Sequence, residues 1–438
     1  MRFLIVTPEM EDTNYRGVQF VTKHVLRGLS EQGHEVVLLT SHPKVKINVK
    51  SEKLRWRVLN TYFRQYLQIG AQLTKRMAPR AGTFTSIFKF LVALFRKAPV
   101  IVVDKTQTSG LNLVKYIDKA VNLPFFYRMA VAMPKFFRKL AIEKIAKQVK
   151  ADVVYYTFPL AVPKLSSSKV IHIIYDLIPY EITEEPVENE WLSKLAKRID
   201  YVSHNSDLIF TISQDSENKI KEVEPHAKVM NIGAAMSAFE YELAGYTHDS
   251  PVLIKNNLVG KPYLLFISSI ERRKNVHRLL QAFVSISDKT DASLVIVGNK
   301  TGAFKGIAEE LDGAPKSVKK RVIFTGWASE YDKYSLLKNC VALVNPTLYE
   351  GFGLQPLEAM LNHIPAVSSV AGALAEVCGD AVLKIQDPYS VPEIAHALLR
   401  ILEDKNLRQE LVHKGNAQSK KYTEQMMYKR IKEALEAL

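Results

Sequence analysis

Leu348-Tyr-Glu-Gly-Phe-Gly-Leu-Gln-Pro-Leu-Glu358 follows an apolar run at Val341–Asn345 and opens a helical pattern. Gly351 and Gly353 permit a tight turn and let the backbone approach a ligand closely. Pro356 suits a first helical turn, where a missing N–H costs little. The free N–H groups of such a turn are ready to meet an anion. Two carboxylates flank the turn, Glu350 on the loop and Glu358 inside the helix, with seven residues between them. Carboxylates beside an anion site are counterproductive unless they serve hydroxyl groups, for which they are strong acceptors. An isolated Glu pair at this spacing is a solvated helix end. The full string in its strand–loop–helix setting points instead to a site for a ligand carrying both phosphate and hydroxyls.

Working outward, the same strand–helix alternation runs through the C-terminal half. Apolar runs at Tyr263–Ser268, Ser293–Val297, Arg321–Thr325, Val341–Asn345, Ala366–Ser369 and Ala381–Lys384 read as strands, with helical patterns between most of them. In the N-terminal half, Arg2–Thr7, Glu35–Thr40, Asp152–Tyr156, Val170–Ile174 and Asp207–Ile212 read the same way. Phe20, Val21, Val25, Leu26 and Leu29 recur at helical spacing. Repeated alternation means parallel sheets with helices on both faces. Two such units in series predict an α/β chain of two doubly wound lobes, with ligands bound beyond the carboxyl ends of the strands. The predicted divisions are an N-terminal lobe at 1–235, a linker at 236–258, a C-terminal lobe at 259–417 and a final helix at 418–438.

Composition agrees with two domains. The chain has 438 residues, 47% of them hydrophobic and 24% charged, and that length suits two domains better than one. Its two cysteines show no paired spacing, which speaks against a disulfide framework and fits a reducing compartment. No stretch approaches the roughly 20 apolar residues that span a bilayer, and the N-terminal apolar run reads as a buried strand rather than a leader. The formal charge of +15 is unevenly placed: residues 51–150 hold 20 basic and 4 acidic side chains, whereas the remainder holds 40 and 41. A cluster of that kind is a surface for anions. No nucleic-acid reader module accompanies it, so no nucleic-acid partner is expected.

The string from Glu350 to Leu354, with Pro356-Leu-Glu358-Ala, resembles the signature of the retaining glycosyltransferases of family 4, which have the GT-B fold of two facing Rossmann-like lobes. The resemblance implies that Glu350 faces a donor sugar and Glu358 the nucleotide ribose, and that the backbone of Phe352, Gly353 and Leu354 lines the sugar and phosphate pocket. Phe266-Ile-Ser-Ser-Ile-Glu-Arg-Arg-Lys-Asn275 resembles the family's diphosphate-binding loop, with Lys274 as its lysine and Arg273 beside it; Ser269 stands where many members have Arg. The bland reading of this basic run is an exposed helix start. Arg16-Gly17-Val18 lies where the family carries paired glycines, and only Gly17 is kept. Ile174-Tyr175-Asp176-Leu-Ile-Pro179 resembles a segment of bacterial mannosyl- and rhamnosyltransferases in which His stands at the place of Tyr175. Asp176 is then a candidate catalytic residue with Glu350 and Lys274, and Tyr175 and Arg16 fall on the acceptor side. The alternative reading of Asp176 is a loop cap; His172 and His34 read as structural.

What the resemblance implies is a metal-independent transfer from a nucleotide-sugar donor to a glycan or lipid-linked acceptor, with retention and with no resident cofactor. No Asp-x-Asp occurs and no metal-spaced cluster is evident in the sequence. A GT-B epimerase and a non-catalytic scaffold are the alternatives; the first is separated by its product, and the second by the presence of both Glu350 and Glu358. The basic segment is expected to form an anionic-membrane patch that puts the protein at the inner face of the membrane. Its candidate elements are Phe84–Lys97 and the aromatic–basic stretch at 125–140, with the apolar face of 136–149 expected to be buried in its own lobe.

Overall fold

The structure is a computed structural model that describes residues 1–7, 17–41, 97–103, 113–123, 126–127, 134–177, 189–236, 250–299, 306 and 309–438. Arg16, residues 84–96 of the candidate membrane element, and residues 125 and 128–133 of the aromatic–basic stretch lie outside the described residues.

Fourteen described strands form two sheets. In the first, β1 (Arg2–Val6), β2 (Glu35–Thr40), β3 (Val100–Val102), β4 (Lys119–Asn122), β5 (Val153–Tyr156), β6 (Lys169–Ile173), β7 (Leu208–Thr211) and β8 (Val229–Asn231) lie in the order β3-β4-β2-β1-β5-β6-β7-β8. Every neighbouring pair is parallel except β3 with β4. In the second, β9 (Tyr263–Ile267), β10 (Ser293–Val297), β11 (Val322–Gly326), β12 (Ala342–Asn345), β13 (Ala366–Ser369) and β14 (Leu383–Ile385) lie in the order β11-β10-β9-β12-β13-β14, all parallel. The central strands are apolar on both faces because helices cover both: Phe3 to Val6 and Tyr263 to Phe266 are all buried.

The expected strands form within one or two residues of their sequence limits. Three were not legible. The edge pair β3 and β4 sits in the basic segment, and β8 holds only three residues. Of the linker expected at 236–258, residues 237–249 lie outside the described residues, and a short helix forms at Pro251–Lys255. Five residues are too few to show a helical period, yet Leu253 and Leu258 pack with Tyr263 and Leu265 in the core of the second lobe. The helix Lys135–Val149 corrects the expectation of a fully buried apolar face. It buries Ala141, Ile142, Ile145, Ala146 and Val149, but its first turns leave Phe136, Phe137 and Leu140 exposed.

The final helix, Glu424–Glu436, packs on the first helix of the chain, Gly17–Glu31. Glu424 lies 2.8 Å from Arg27 and 3.2 Å from the buried His24, and Gln32 Nε2 donates to the Tyr428 carbonyl at 2.9 Å. Gly28 makes the crossing possible: a Cβ there would fall 2.5 Å from the Tyr428 ring. Met427, Ile431 and Leu435 join the N-lobe core, and burial of such side chains contributes about 1.5–3 kcal/mol each. The chain crosses between lobes a second time nearby, where Met236 N–H donates to the Tyr422 carbonyl at 3.3 Å.

His172 is fully buried on β6, stacked on Tyr156 with ring centroids 4.4 Å apart. Its Nε2–H donates to the Leu160 carbonyl at 3.1 Å, and Nδ1 lies 2.9 Å from the Ser206 hydroxyl. Burial pushes its pKa down to about 3. An unfolded chain binds a proton here below about pH 6.5, and the folded chain does not until near pH 3. The stability that depends on neutral His172 is therefore whole above about pH 6.5 and is lost as the pH falls towards 3. The expected slope is up to about 1.4 kcal/mol per pH unit. Urea titrations at pH 7, 6 and 5 are expected to show it, with a shallower slope for His172→Gln; equal slopes would refute the assignment.

Candidate functional site

The site is built where β9 and β12, neighbours in the second sheet, end side by side. The loop after β9 enters a 3₁₀ turn at Arg272–Lys274 and closes on Asn275 at φ +60°. Asn275 Nδ2 ties it down, donating to the carbonyls of Pro346 (2.9 Å) and Pro388 (2.6 Å). The loop after β12 is stitched alongside: Leu348 N–H and the Thr347 hydroxyl both donate to the Arg273 carbonyl, at 2.9 and 3.1 Å. Gly353 then stands at φ +116° before the helix Leu354–Leu361, and a Cβ there would lie 2.6 Å from Leu374 Cδ2. Both the left-handed backbone and the close packing require glycine.

Glu350 is thereby set against the basic pair. Its carboxylate bonds the Lys274 ammonium, and Arg273 Nη1 reaches it at 3.2 Å while also donating to the Tyr349 carbonyl at 2.9 Å. Lys274 is 6% exposed and Glu350 8%, so this is a buried ion group. Burial works against the Glu350 charge, but Lys274 and Arg273 outweigh it and hold the carboxyl below its usual range. Burial, with Arg273 beside it, brings Lys274 below the ordinary amine range despite Glu350. Glu271 also lies 3.9 Å from Arg273 but is exposed, so within the buried group two cations face one carboxylate beside the helix start, an arrangement suited to an anionic ligand.

Glu358 lies in the same helix, 4% exposed. Its carboxylate is 3.0 Å from Lys333 Nζ, which also reaches Glu330 at 2.7 Å. Burial opposes the Lys333 charge, but the two carboxylates raise its pKa overall. Sequence reasoning missed Lys333. Its helix, Glu330–Asn339, precedes β12, and only tertiary packing brings it to Glu358; a lysine three residues after a glutamate reads as a solvated pair.

The N-terminal lobe meets this site directly. A Cβ on Gly351 would lie 2.8 Å from the Asp176 carboxylate, and one on Gly17 would lie 3.1 Å from Leu354 Cδ1. Asp176 thus faces the Glu350 loop across the cleft. Tyr175 packs against the N-lobe core with its hydroxyl 3.3 Å from that of Thr22, so it lies one step back from the cleft. Phe352 sends its ring into the same core, edge-on to Tyr422 at 5.5 Å, and contributes backbone only to the loop. Ser269 donates to Glu271 at 2.7 Å. Glu350, Lys274, Arg273 and Asp176 are brought together, with Gly17, Gly353 and Leu354 beside them and Glu358 one helical turn on.

Asp200, His204 and Glu224 place ligand atoms within 4.8 Å of one another. Asp200 and His204 are one helical turn apart, but Glu224 joins them only in the folded chain. All three lie outside the Glu350 site, and their hydrogen bonds and ion pairing raise the His204 pKa.

Residues 253–418 match the sequence profile of the family described as glycosyl transferases, group 1. The chain is similar to the serotype-specific mannosyltransferase WbdA of Escherichia coli, 27% identical over 308 residues, covering 65% of this chain and 36% of WbdA. It is also similar to O-antigen chain mannosyltransferase B of the same organism, 30% identical over 224 residues, covering 50% of this chain and 58% of the relative. The chain therefore spans between about a third and three fifths of these relatives' lengths. Among solved structures, sucrose-phosphate synthase from Thermosynechococcus elongatus superposes with a TM-score of 0.66 at 16% identity, covering 100% of this chain and 98% of that one. WaaG, a glycosyltransferase of lipopolysaccharide biosynthesis, gives 0.58 at 15% identity, covering 99% and 98%. Residues 253–418 thus resemble the group 1 glycosyltransferases, in a chain with the two-lobed GT-B fold.

Proposed function

We propose that the chain is a hexosyltransferase of family 4 type, moving a sugar from a nucleotide-sugar donor to a glycan or lipid-linked acceptor with retention and without a metal ion. The observation that carries this reading is the buried Glu350–Lys274–Arg273 group at a glycine-bearing helix start, facing Asp176 across the cleft. When the donor's anomeric bond loosens, charge develops on the departing diphosphate, and preorganised cations are worth most where charge develops. Lys274, Arg273 and the N–H groups at Gly353–Leu354 supply that stabilisation. Glu350 faces the sugar, Glu358 accepts from the ribose hydroxyls, and Asp176 orients the sugar or the acceptor. The diphosphate oxygen then takes the acceptor hydroxyl's proton, so no separate protein base is needed. Mannose is favoured as the donor sugar because WbdA and O-antigen chain mannosyltransferase B are mannosyltransferases; a UDP complex of HepE from Anabaena supports a nucleotide ligand for this fold.

A panel of nucleotide sugars with glycan acceptors tests the reaction. Free nucleoside diphosphate and a retained glycoside are expected, unchanged by chelator; an altered nucleotide sugar with no glycoside would indicate an epimerase instead. Glu350→Ala is expected to lower kcat at least about a hundredfold, the scale of losing an electrostatic group aimed at the transition state. Glu358→Ala and Lys333→Met are expected to act chiefly on nucleotide binding, raising donor KM about tenfold, as for loss of a charged hydrogen bond. A Glu350→Ala, Glu358→Ala double variant with full activity would end the proposal.

We also propose that residues 51–150 meet an anionic membrane at its inner face, delivering a lipid-linked acceptor. The concentrated positive charge supports this, each basic side chain near such a surface contributing about 1 kcal/mol. The exposed Phe136, Phe137 and Leu140 add apolar area to it. Salt-sensitive flotation with anionic vesicles is expected, and its loss when Arg76, Arg80, Lys89, Arg96 and Lys97 are changed to Glu. Indifference of the wild-type chain to such vesicles at low salt would point to a soluble acceptor.

A further inference from the structure

One N-lobe helix, Gln214–Val223, begins against the second lobe. Ser213 caps it from within, accepting from Ser216 N–H at 3.1 Å. The N–H groups of Gln214 and Asp215 turn outward instead and donate to one carboxylate oxygen of Glu376, at 2.8 and 3.5 Å. Glu376 belongs to the C-lobe helix Leu374–Cys378, so a residue of one lobe completes the helix start of the other. Orphan N–H groups and the partial positive charge of a helix start favour a carboxylate at this place.

The same helix takes a second contact across the cleft. The Tyr349 hydroxyl donates to the Asp215 carboxylate and accepts from Lys219 Nζ at 2.8 Å, and Lys219 also lies over the Tyr349 ring, 4.3 Å from its centroid. Tyr349 is the residue before Glu350. Its carbonyl accepts from Arg273 at 2.9 Å and from the Thr347 hydroxyl at 3.3 Å, so its backbone belongs to the ion group while its side chain belongs to the other lobe. Between these two contacts the backbone of Gly351 lies against Asp176. A sugar seated between Asp176 and Glu350 needs the space that this contact closes. Entry of a donor therefore requires the lobes to part, and parting them means releasing Tyr349 and Glu376 from the helix.

We propose that Tyr349 and Glu376 form an inter-lobe latch that holds the cleft closed, and that Tyr349 is a positioning residue that sets Glu350 when the latch is made. The latch stands on the contacts alone; the effect on turnover rests on the glycosyl-transfer reading. Hinged lobes with such a device exclude water on closing and complete the site only then.

The test compares the full-length chain with Tyr349→Phe, Asp215→Ala and the double variant Tyr349→Phe, Glu376→Ala. Phenylalanine keeps the ring and removes only the hydroxyl, and Asp215→Ala removes the partner from the opposite lobe, so folding damage at either position does not mimic the other. X-ray scattering and amide exchange are read without any donor. The double variant is expected to show a larger radius of gyration than wild type, with faster exchange at 347–353 and at the amides of 214 and 215. Calorimetry with UDP and GDP then reads nucleotide affinity, expected to change less than about threefold. Turnover with the active donor is expected to fall about tenfold in kcat for Tyr349→Phe, the effect of one charge-assisted hydrogen bond, with no rise in donor KM. Combining Tyr349→Phe with Asp215→Ala is expected to add nothing further, since both break one interaction. Scattering and exchange identical to wild type in the double variant would overturn the latch whether or not the chain transfers sugar. A change confined to KM, or full additivity of the two single changes, would overturn the positioning role while leaving the transfer reading intact.

Discussion

The rest of the site depends on one buried ion group, Glu350 held between Lys274 and Arg273. Removing two cations and an anion from water is costly, and replacing a buried pair with apolar residues is often neutral or stabilising. Such a group is weak evidence for stability. Its surroundings are arranged for it nonetheless: Asn275 anchors one loop, Thr347 and Leu348 bind the other to the first, and Gly353 allows the turn that follows. A parallel sheet brings the ends of β9 and β12 together at one edge of the second lobe, and that fixed separation allows residues 76 positions apart in the chain to share a charge.

A second tier of pairing supports the first. Glu358 and Lys333 repeat the device one helical turn away, with Glu330 as the outer partner. Both glutamates are almost entirely removed from solvent, and both have cations within bonding distance. A ligand with phosphates and hydroxyls would therefore exchange partners with charges already in place, which keeps reorganisation small.

The two lobes are not independent bodies. Phe352, Leu357 and Val377 of the second share one apolar cluster with Phe20, Phe210 and Ile431. The last helix lies along the first, and the chain crosses at Met236 and Tyr422 side by side. The crossings are largely apolar, whereas the contacts from Tyr349 and Glu376 to the Gln214–Val223 helix are polar; Glu376 also adjoins the crossing, its carbonyl accepting from the Tyr422 hydroxyl at 2.9 Å. Polar contacts between lobes exchange readily with water; buried apolar ones do not.

The two-lobed parallel architecture was legible because its signals are local: apolar runs of strand length, helical periods between them, and a glycine-bearing turn with carboxylates at Glu350 and Glu358. Gly353 and Pro356 announced their turn because backbone conformation is a property of the residue itself. Elements lacking a period stayed hidden, as with β8 and the helix Pro251–Lys255, which are too short to repeat, and with Phe136 and Phe137, whose exposure depends on where the rest of their helix docks. The residue types of the candidate site were legible too, but their partnerships were not. That Lys333 neutralises Glu358, that Asp176 meets Gly351, and that Glu376 caps a helix of the other lobe are facts of packing between distant segments. Sequence alone determined which residues bend, bury and carry charge; tertiary structure decided which charges share a site, because that depends on distances through space that no local pattern encodes.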